Sequence, residues 1–258
     1  MEITKDMSIN SMLMLASGDG TFKRPYNTLF MLSSVDGKIS SGCGDTRDFD
    51  KDLPGIVGNL NAYYETEKTT DYWSMISGET VMKLGAGVGQ FIKEFHKCGH
   101  ILIDSNNLTL EAIDHVAGGC EKLILVTDPQ HTARRFFKNT VEVITVPDLR
   151  DVSFVMQALY EVGVKAITVQ TGGSINSALI RAGLIDRADL FIAPAIVGGF
   201  HTSSLADGDS ITADEGLNGI ANMTLMKTET YGSLIRLVYK VKNRKGTTTD
   251  IGYHIDGL

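Results

Sequence analysis

The residues best suited to chemistry lie between Ala166 and Gly199. Ala166-Ile-Thr-Val-Gln170-Thr171 is an apolar run that ends in Gly172-Gly173, and Ser174-Ile175-Asn176 opens a helical pattern directly after it. When a buried strand passes through a glycine turn into a helix, the first N–H groups of that helix have no intrahelical acceptor. They face outward together and form a ready site for phosphate. A glycine has no Cβ, so a ligand can approach the backbone closely. Gly172, Gly173, Ser174, Ile175 and Asn176 therefore point to a nucleotide or dinucleotide. The same residues also describe a plain tight connection with Ser174 as the helix cap, and two glycines alone do not separate these readings.

Elements that could position this turn are legible on both sides. Tyr26 to Ser33 is nearly all apolar or β-prone, as expected of a strand covered on both faces. Trp73–Ser77, His100–Ile103, Lys122–Thr127, Val141–Val146, Lys165–Gln170 and Asp189–Ala193 read as further strands. Polar turns are expected after His100–Ile103 and Lys122–Thr127, and helices over Asn59–Lys68, Gln90–Lys97 and His131–Lys138. The clearest helix is capped by Asp151, carries Val152, Val155, Met156, Leu159 and Tyr160 on one face, and stops at Gly163. Ile175, Ala178, Leu179 and Ala182 repeat that spacing before Gly183. Thr224–Tyr231 and Leu234–Val241 flank Gly232-Ser233, a two-residue hairpin turn. Strands alternating with helices, then a hairpin, predict an open, mostly parallel α/β sheet with an antiparallel edge.

Composition narrows the function classes. The chain has 258 residues, 43% of them hydrophobic and 21% charged, with a net charge of -7. No linker-like segment divides it, so one domain over 1–258 is expected, its core spanning about Arg24 to Lys242. The acidic balance and the lack of a basic tract argue against a nucleic-acid partner. No apolar stretch is long enough to span a bilayer, so no membrane partner is expected. Cys43, Cys98 and Cys120 are widely spaced, with no CxxC or Cys/His ligand pattern; they fit reduced cytoplasmic thiols. The six histidines show no HxH or HExxH spacing, so no metal is indicated. Trp73 and Phe200 read as core residues.

Four segments, in order, resemble the reductase of riboflavin biosynthesis, which occurs alone or as the C-terminal half of a deaminase–reductase. They are Arg24-Pro-Tyr-Asn-Thr-Leu leading into Ser33-Ser-Val-Asp-Gly-Lys-Ile-Ser, then Ser77-Gly-Glu-Thr, then Ile101-Leu-Ile-Asp-Ser. Thr171-Gly-Gly-Ser-Ile-Asn through Pro194-Ala-Ile-Val-Gly-Gly is the fourth and most specific. The resemblance implies a dihydrofolate-reductase-like fold, a homodimer and an NADPH-dependent oxidoreductase, with NADH as the alternative cofactor. It implies a phosphorylated small-molecule substrate, a ribosylamino-pyrimidinone 5′-phosphate or a similar pyrimidine or pterin.

The implied site follows residue by residue. Gly172, Gly173, Ser174, Ile175 and Asn176 would hold the cofactor diphosphate. Gly78 and Thr80 would meet the nicotinamide ribose, although that turn also reads as a capped helix start. Ser105 and Thr127 would lie at the adenosine end. Asp36 would supply a proton or orient the substrate, with Ser34 and Lys38 beside it, and Gly198 and Gly199 would wall the substrate.

Three departures from the family stand out. Gln170 replaces a usual Glu; a neutral amide is no general acid but can hydrogen-bond a pyrimidine edge. Met82-Lys-Leu-Gly replaces an acidic run after Thr80. Leu108 stands where a basic residue often meets the 2′-phosphate, with Arg134 and Arg135 as substitutes and Asp104 as a source of repulsion. The insertion-like stretch Gly42–Thr70 would reshape the substrate pocket. These departures keep open another reductase on the same fold, or a non-catalytic nucleotide-binding protein. A Rossmann dehydrogenase would need an early glycine fingerprint and a Tyr-x-x-x-Lys pair, and neither stands where required.

Overall fold

The computed structural model describes residues 22–42, 60–83, 85, 99–105, 108–212, 219–242 and 247–248. The expected helix over Gln90–Lys97 and much of Gly42–Thr70 lie outside the described residues. In chain order the elements are β1 (Phe22–Lys23), β2 (Tyr26–Ser34), α1 (Asn61–Glu67), β3 (Trp73–Ser77) and α2 (Gly78–Lys83). Next come β4 (Gly99–Asp104), α3 (Leu110–Gly119), β5 (Lys122–Thr127), β6 (Val141–Thr145), α4 (Val152–Glu161) and β7 (Ala166–Val169). The chain then forms α5 (Gly173–Arg181), β8 (Arg187–Ala193), β9 (Asn222–Tyr231), β10 (Leu234–Lys242) and β11 (Thr247–Thr248). The main sheet has nine strands in the order β6-β5-β4-β3-β7-β2-β8-β10-β9, and β1 pairs with β11 apart from it. Strands β2 to β8 pair in parallel; β8–β10 and β10–β9 are antiparallel. This is the open, mostly parallel sheet with a terminal hairpin that the alternation of elements predicts.

Side chains that alternate along the parallel strands go to opposite faces, and both faces are covered. Leu29, Met75, Ile101, Ile124 and Val169 pack beneath α4 and α5, against Val155, Met156, Leu159 and Leu179. On the other face, Phe30, Leu32 and Phe191 meet Tyr63 of α1, while Ile76, Leu102 and Leu125 meet Val81 of α2 and Ile113 and Val116 of α3. Asp151 caps α4 by accepting from Phe154 N, as its position predicts.

Two local expectations fail. The stretch after β4 is not only a polar turn: it forms α3, capped by Thr109, whose side chain accepts from Ala112 N. Ala112, Ile113, Val116 and Ala117 carry that helical spacing in the sequence. The helix expected over His131–Lys138 is only a 3-10 turn, Thr132–Arg135, after which Phe136 returns to extended backbone. His131 is committed to Asp104 instead, as described below.

At the amino end of the sheet, away from the glycine turn, Arg24 and Asp186 form a buried two-pronged ion pair at 2.7 and 2.9 Å. Asn27 N also donates to Asp186 Oδ2 at 2.8 Å. This pair joins the start of β2 to the start of β8. Removing one partner strands a buried charge, so Arg24→Met is expected to cost about 3–5 kcal/mol in urea unfolding. A loss below 1 kcal/mol would show the pair to be dispensable.

Candidate active site

In a parallel sheet every strand ends on the same edge, and the candidate residues collect there. Along that edge stand Thr127 after β5, Asp104 and Ser105 after β4, Gly78 after β3, Gln170 to Gly173 after β7, Ser34 to Lys38 after β2, and Pro194 to Gly199 after β8. Connections diverge at β3 and β7. The chain leaves β3 through α2 on one face and leaves β7 through α5 on the other. Ligands of open α/β sheets bind in the crevice that such a switch point opens. Gly78 and Gly172 flank it.

The two glycines of the turn have different reasons. Gly172 is the N-cap of α5, extended at φ -69° and ψ 162°, and a Cβ there would meet nothing within 4 Å. That leaves room for a ligand at the start of a nine-residue helix. Gly173 is buried, and a Cβ would lie 2.3 Å from both Asp207 Oδ2 and Ser204 O. Its small size serves the packing of the Ser204–Asp207 loop rather than ligand approach. Ser174 is exposed and is not the cap; no side chain caps this helix. Asn176 is fully buried, at 0% exposure. It accepts from Thr171 Oγ1 at 2.6 Å and donates to Leu205 O at 3.0 Å. Asn176 thus braces the turn from below and does not present itself to a cofactor. Ile175 is half-buried and packs against the α4–α5 cluster.

A similar correction applies at Gly78. A Cβ there would sit 2.2 Å from Asp104 Oδ1, so a buried carboxylate, not a ribose, requires the glycine. Asp104 Oδ2 accepts from Leu108 N at 3.0 Å and pairs with His131 Nε2 at 2.7 Å. His131 accepts from Ala133 N at Nδ1, 2.9 Å away, so Nε2 is the nitrogen that donates to Asp104. Asp104 is thus buried and committed to Leu108 N and His131 rather than turned toward the edge where a phosphate would lie. Thr127 is buried at 0% exposure and donates to Asp104 O at 2.9 Å, which removes it from the cofactor-facing set. Ser105 is exposed at the same edge, and Thr80 is half-buried with its hydroxyl 2.9 Å from Ser77 Oγ. Arg134 and Arg135 are exposed beyond β5.

The β2 turn is sewn to the loop after β8. Asp36 accepts from Ser34 Oγ at 2.5 Å, Val197 N at 3.1 Å and Gly198 N at 2.7 Å. The Ser34 hydroxyl first, then these two N–H groups, pull the Asp36 carboxyl down to about 2. It is ionised at neutral pH and does not serve there as a proton donor; it organises the turn instead. Ser34 is buried and also accepts from Lys38 N at 2.8 Å. Lys38 Nζ donates to Thr202 O at 2.8 Å, which leaves ammonium donors for a phosphate. Gly198 (φ +71°) opens onto space, whereas a Cβ on Gly199 (φ +84°) would meet Thr202 Oγ1 at 2.4 Å. Phe200 is 94% exposed on this loop, not in the core.

Gln170 is engaged within the protein rather than displayed. Its carbonyl accepts from Ser74 Oγ at 2.8 Å, and its amide nitrogen donates to Glu67 Oε1 at 2.6 Å and Tyr63 Oη at 3.3 Å. Sequence reasoning missed Glu67, Asp207 and His131. Each is brought in from another segment, and no spacing near Gln170, Gly173 or Asp104 announces it.

Two outcomes follow from this geometry. Gly78→Ala is expected to cost roughly 1–3 kcal/mol through the Asp104 clash, whereas Gly172→Ala stays within about 0.5 kcal/mol of the parent in thermal unfolding. Equal losses would refute the distinction. For Asp36, whose carboxyl is depressed from 3.8 to about 2, the stabilising contribution is present above 3.8 and is lost as pH falls through about 2. Carboxyl NMR of Asp36 should thus show no titration between pH 5 and 9, as roughly expected for so low a value; an inflection there would restore it as a proton donor.

Comparison with known proteins fits this edge. Residues 25–237 match the RibD C-terminal domain family. The riboflavin biosynthesis protein RibD of Actinobacillus pleuropneumoniae is 24% identical over 85% of this chain and 57% of its own length. The 2,5-diamino-6-ribosylamino-4(3H)-pyrimidinone 5′-phosphate reductase of Methanothermobacter thermautotrophicus is 23% identical over 85% of this chain and 99% of its own. A solved diaminohydroxyphosphoribosylaminopyrimidine deaminase/5-amino-6-(5-phosphoribosylamino)uracil reductase from Thermotoga maritima superimposes with a TM-score of 0.59 at 16% identity. That match covers 85% of this chain and 57% of the other, and shows a shared fold. The chain spans little more than half of the Actinobacillus and Thermotoga proteins. With the match running from the start of β2 into β10, this chain belongs to the RibD C-terminal domain family.

Proposed function

We propose that this chain is a reductase of riboflavin biosynthesis that uses NADPH to reduce a ribosylamino-pyrimidinone 5′-phosphate. The observation that carries the reading is the crevice between β3 and β7, where Gly172 leaves open space at the amino end of α5. The name and full-length match of the Methanothermobacter reductase support the substrate class.

A dinucleotide fits the residues present. Gly172 lets a diphosphate reach the first N–H groups of α5. The Asp207 carboxylate packs against Gly173, and its oxygens already accept from Ser204 N and Oγ, at 3.0 and 2.6 Å. Ser174 and Ile175 border the diphosphate, Thr80 lies toward the nicotinamide ribose, and Ser105 lies toward the adenosine, with Arg134 or Arg135 for a 2′-phosphate. When bound, the nicotinamide supplies the hydride. The protein's own work is to bind, orient and exclude water. Asp36 holds the β2 turn and the Val197–Gly198 backbone in one arrangement, so that Lys38 and Gly198 meet the sugar phosphate. Gln170 holds Glu67. A phosphorylated small molecule, not nucleic acid or a membrane, is the partner, and the protein is a cytoplasmic homodimer. Among the described residues no helix is long and apolar enough to cross a membrane.

Thermal unfolding with added NADP⁺ or NAD⁺ tests the reading, because a ligand that binds the native state stabilises it by about 2.7 kcal/mol at 100 times its Kd. NADP⁺ is expected to raise the midpoint more than NAD⁺, and Gly172→Val to abolish the shift while the unliganded midpoint stays near the parent's. No shift with either nucleotide would overturn the proposal.

A further inference from the structure

Two turns carry the proposed phosphate contacts: residues 172–176 at the start of α5, and residues 34–38 at the end of β2. The strands that lead to them are neighbours, but their ladder ends at Leu29 and Val169, while β2 runs on to Ser34. A third segment, residues 202–207 in the chain after β8, joins the turns instead. On one side it pairs with the β2 turn. Lys38 and Ser204 form an antiparallel bridge, Ile39 N donates to Ser203 O at 3.0 Å, and Leu205 N donates to Gly37 O at 2.9 Å. Lys38 Nζ adds its bond to Thr202 O at 2.8 Å. On the other side the segment meets the glycine turn. Asp207 N donates to Gly173 O at 3.0 Å, and Asn176 Nδ2 donates to Leu205 O at 3.0 Å.

Leu205 is the junction, since its N–H goes to one turn and its C=O to the other. Asp207 sets the shape of the segment. Its carboxylate accepts from Ser204 N at 3.0 Å and from Ser204 Oγ at 2.6 Å, which closes residues 204–207 into a compact turn. That turn is seated on Gly173 without slack: a Cβ there would lie 2.3 Å from both Asp207 Oδ2 and Ser204 O. Groups packed this closely pass a displacement on rather than absorb it. Asn176 is in turn fixed to the glycine turn by Thr171, whose hydroxyl donates to it at 2.6 Å. A continuous chain of bonds thus runs from Thr171 through Asn176 and Leu205 to Gly37.

We propose that residues 202–207 couple the two halves of the site, so that a dinucleotide at α5 and a phosphorylated substrate at Lys38 bind with positive cooperativity. The inference rests on the reductase reading above and extends it from where each ligand binds to how one aids the other. A diphosphate bonded to the first N–H groups of α5 fixes the backbone of Gly172 and Gly173. Gly173 O then holds Asp207, Asp207 holds Ser204, and Ser204 keeps Lys38 in register. The substrate meets a turn that is already ordered, and the cost of ordering it no longer subtracts from binding. By linkage the substrate tightens the dinucleotide by the same factor. Asp207 is a positioning residue in this scheme; it touches neither ligand.

Calorimetry tests the coupling with NADP⁺ and 2,5-diamino-6-ribosylamino-4(3H)-pyrimidinone 5′-phosphate, an unreactive pair because the oxidised nucleotide has no hydride to give. In the parent protein, saturating NADP⁺ is expected to tighten the pyrimidinone by roughly 5-fold or more. Asp207→Ala should bring that factor close to one while each ligand alone keeps its parent affinity. Asp207→Asn, which retains an acceptor for Ser204, should restore the factor. A merely structural role would weaken both ligands alone and leave the factor as it was. Amide hydrogen exchange reads the same link in the parent, whether or not Asp207→Ala folds. NADP⁺ is expected to slow exchange at Ile39 and Leu205, whose N–H groups bond on the β2 side of the segment. A pyrimidinone affinity that NADP⁺ leaves unchanged, a factor undiminished in Asp207→Ala, or unaltered exchange at Ile39 and Leu205 overturns the coupling and leaves the reductase reading standing. Binding of neither compound by the parent overturns the reductase reading itself.

Discussion

Parallel pairing of β7 with β3 on one side and β2 on the other is the constraint on which the site depends. β7 is only four residues long, yet its ladder brings Gln170 and the glycine turn between the ends of two strands distant in sequence. A parallel sheet sends all its strands out at one edge, and the change of winding direction between β3 and β7 opens that edge. Hydrophobic packing on both faces holds the arrangement, and the Arg24–Asp186 pair pins the opposite end.

Glycine has two separate uses at this edge. Gly172 and Gly198 face open space, where the absence of a Cβ leaves backbone accessible. Gly78, Gly173 and Gly199 are small because Asp104, Asp207 and Thr202 press against them. Read only as letters, the two kinds are identical. The same distinction sorts the polar residues: Asn176, Thr127 and Ser34 are buried and bonded beneath the surface that Ser174, Ser105 and Lys38 help to form.

The carboxylates around the crevice are likewise divided by their partners. Asp36 is held ionised by a hydroxyl and two backbone N–H groups, so its contribution is architectural. Asp104 is buried on His131, and Asp207 is bonded to Ser204. Glu67 accepts from the side-chain amide of Gln170, the residue that follows β7. The pairing also gives the neutral residue at position 170 a function, since an amide can hold a carboxylate where a second carboxylate would repel it.

Much of the architecture was legible because it rests on local patterns. The apolar runs of β2, β5 and β7, the Asp151 cap with its helical stripe, and the Gly232-Ser233 hairpin are short-range signals, and the residue types at them reflect short-range sterics and burial. Even α3, which was missed, carried its spacing in Ala112, Ile113, Val116 and Ala117. The short turn after His131 went wrong for the opposite reason: a long-range bond to Asp104 outweighed a helical pattern. The sequence by itself determined the alternation of strands and helices, the glycine turn and the resemblance to a family, because each is written in neighbouring residues. Only the tertiary structure decided that Asp36 is a bound anion, that Gly173 and Gly78 make room for carboxylates, and that Glu67 meets Gln170. Those properties depend on contacts across tens to hundreds of residues, and side-chain charge, burial and reach take their meaning from whichever distant group the fold brings alongside.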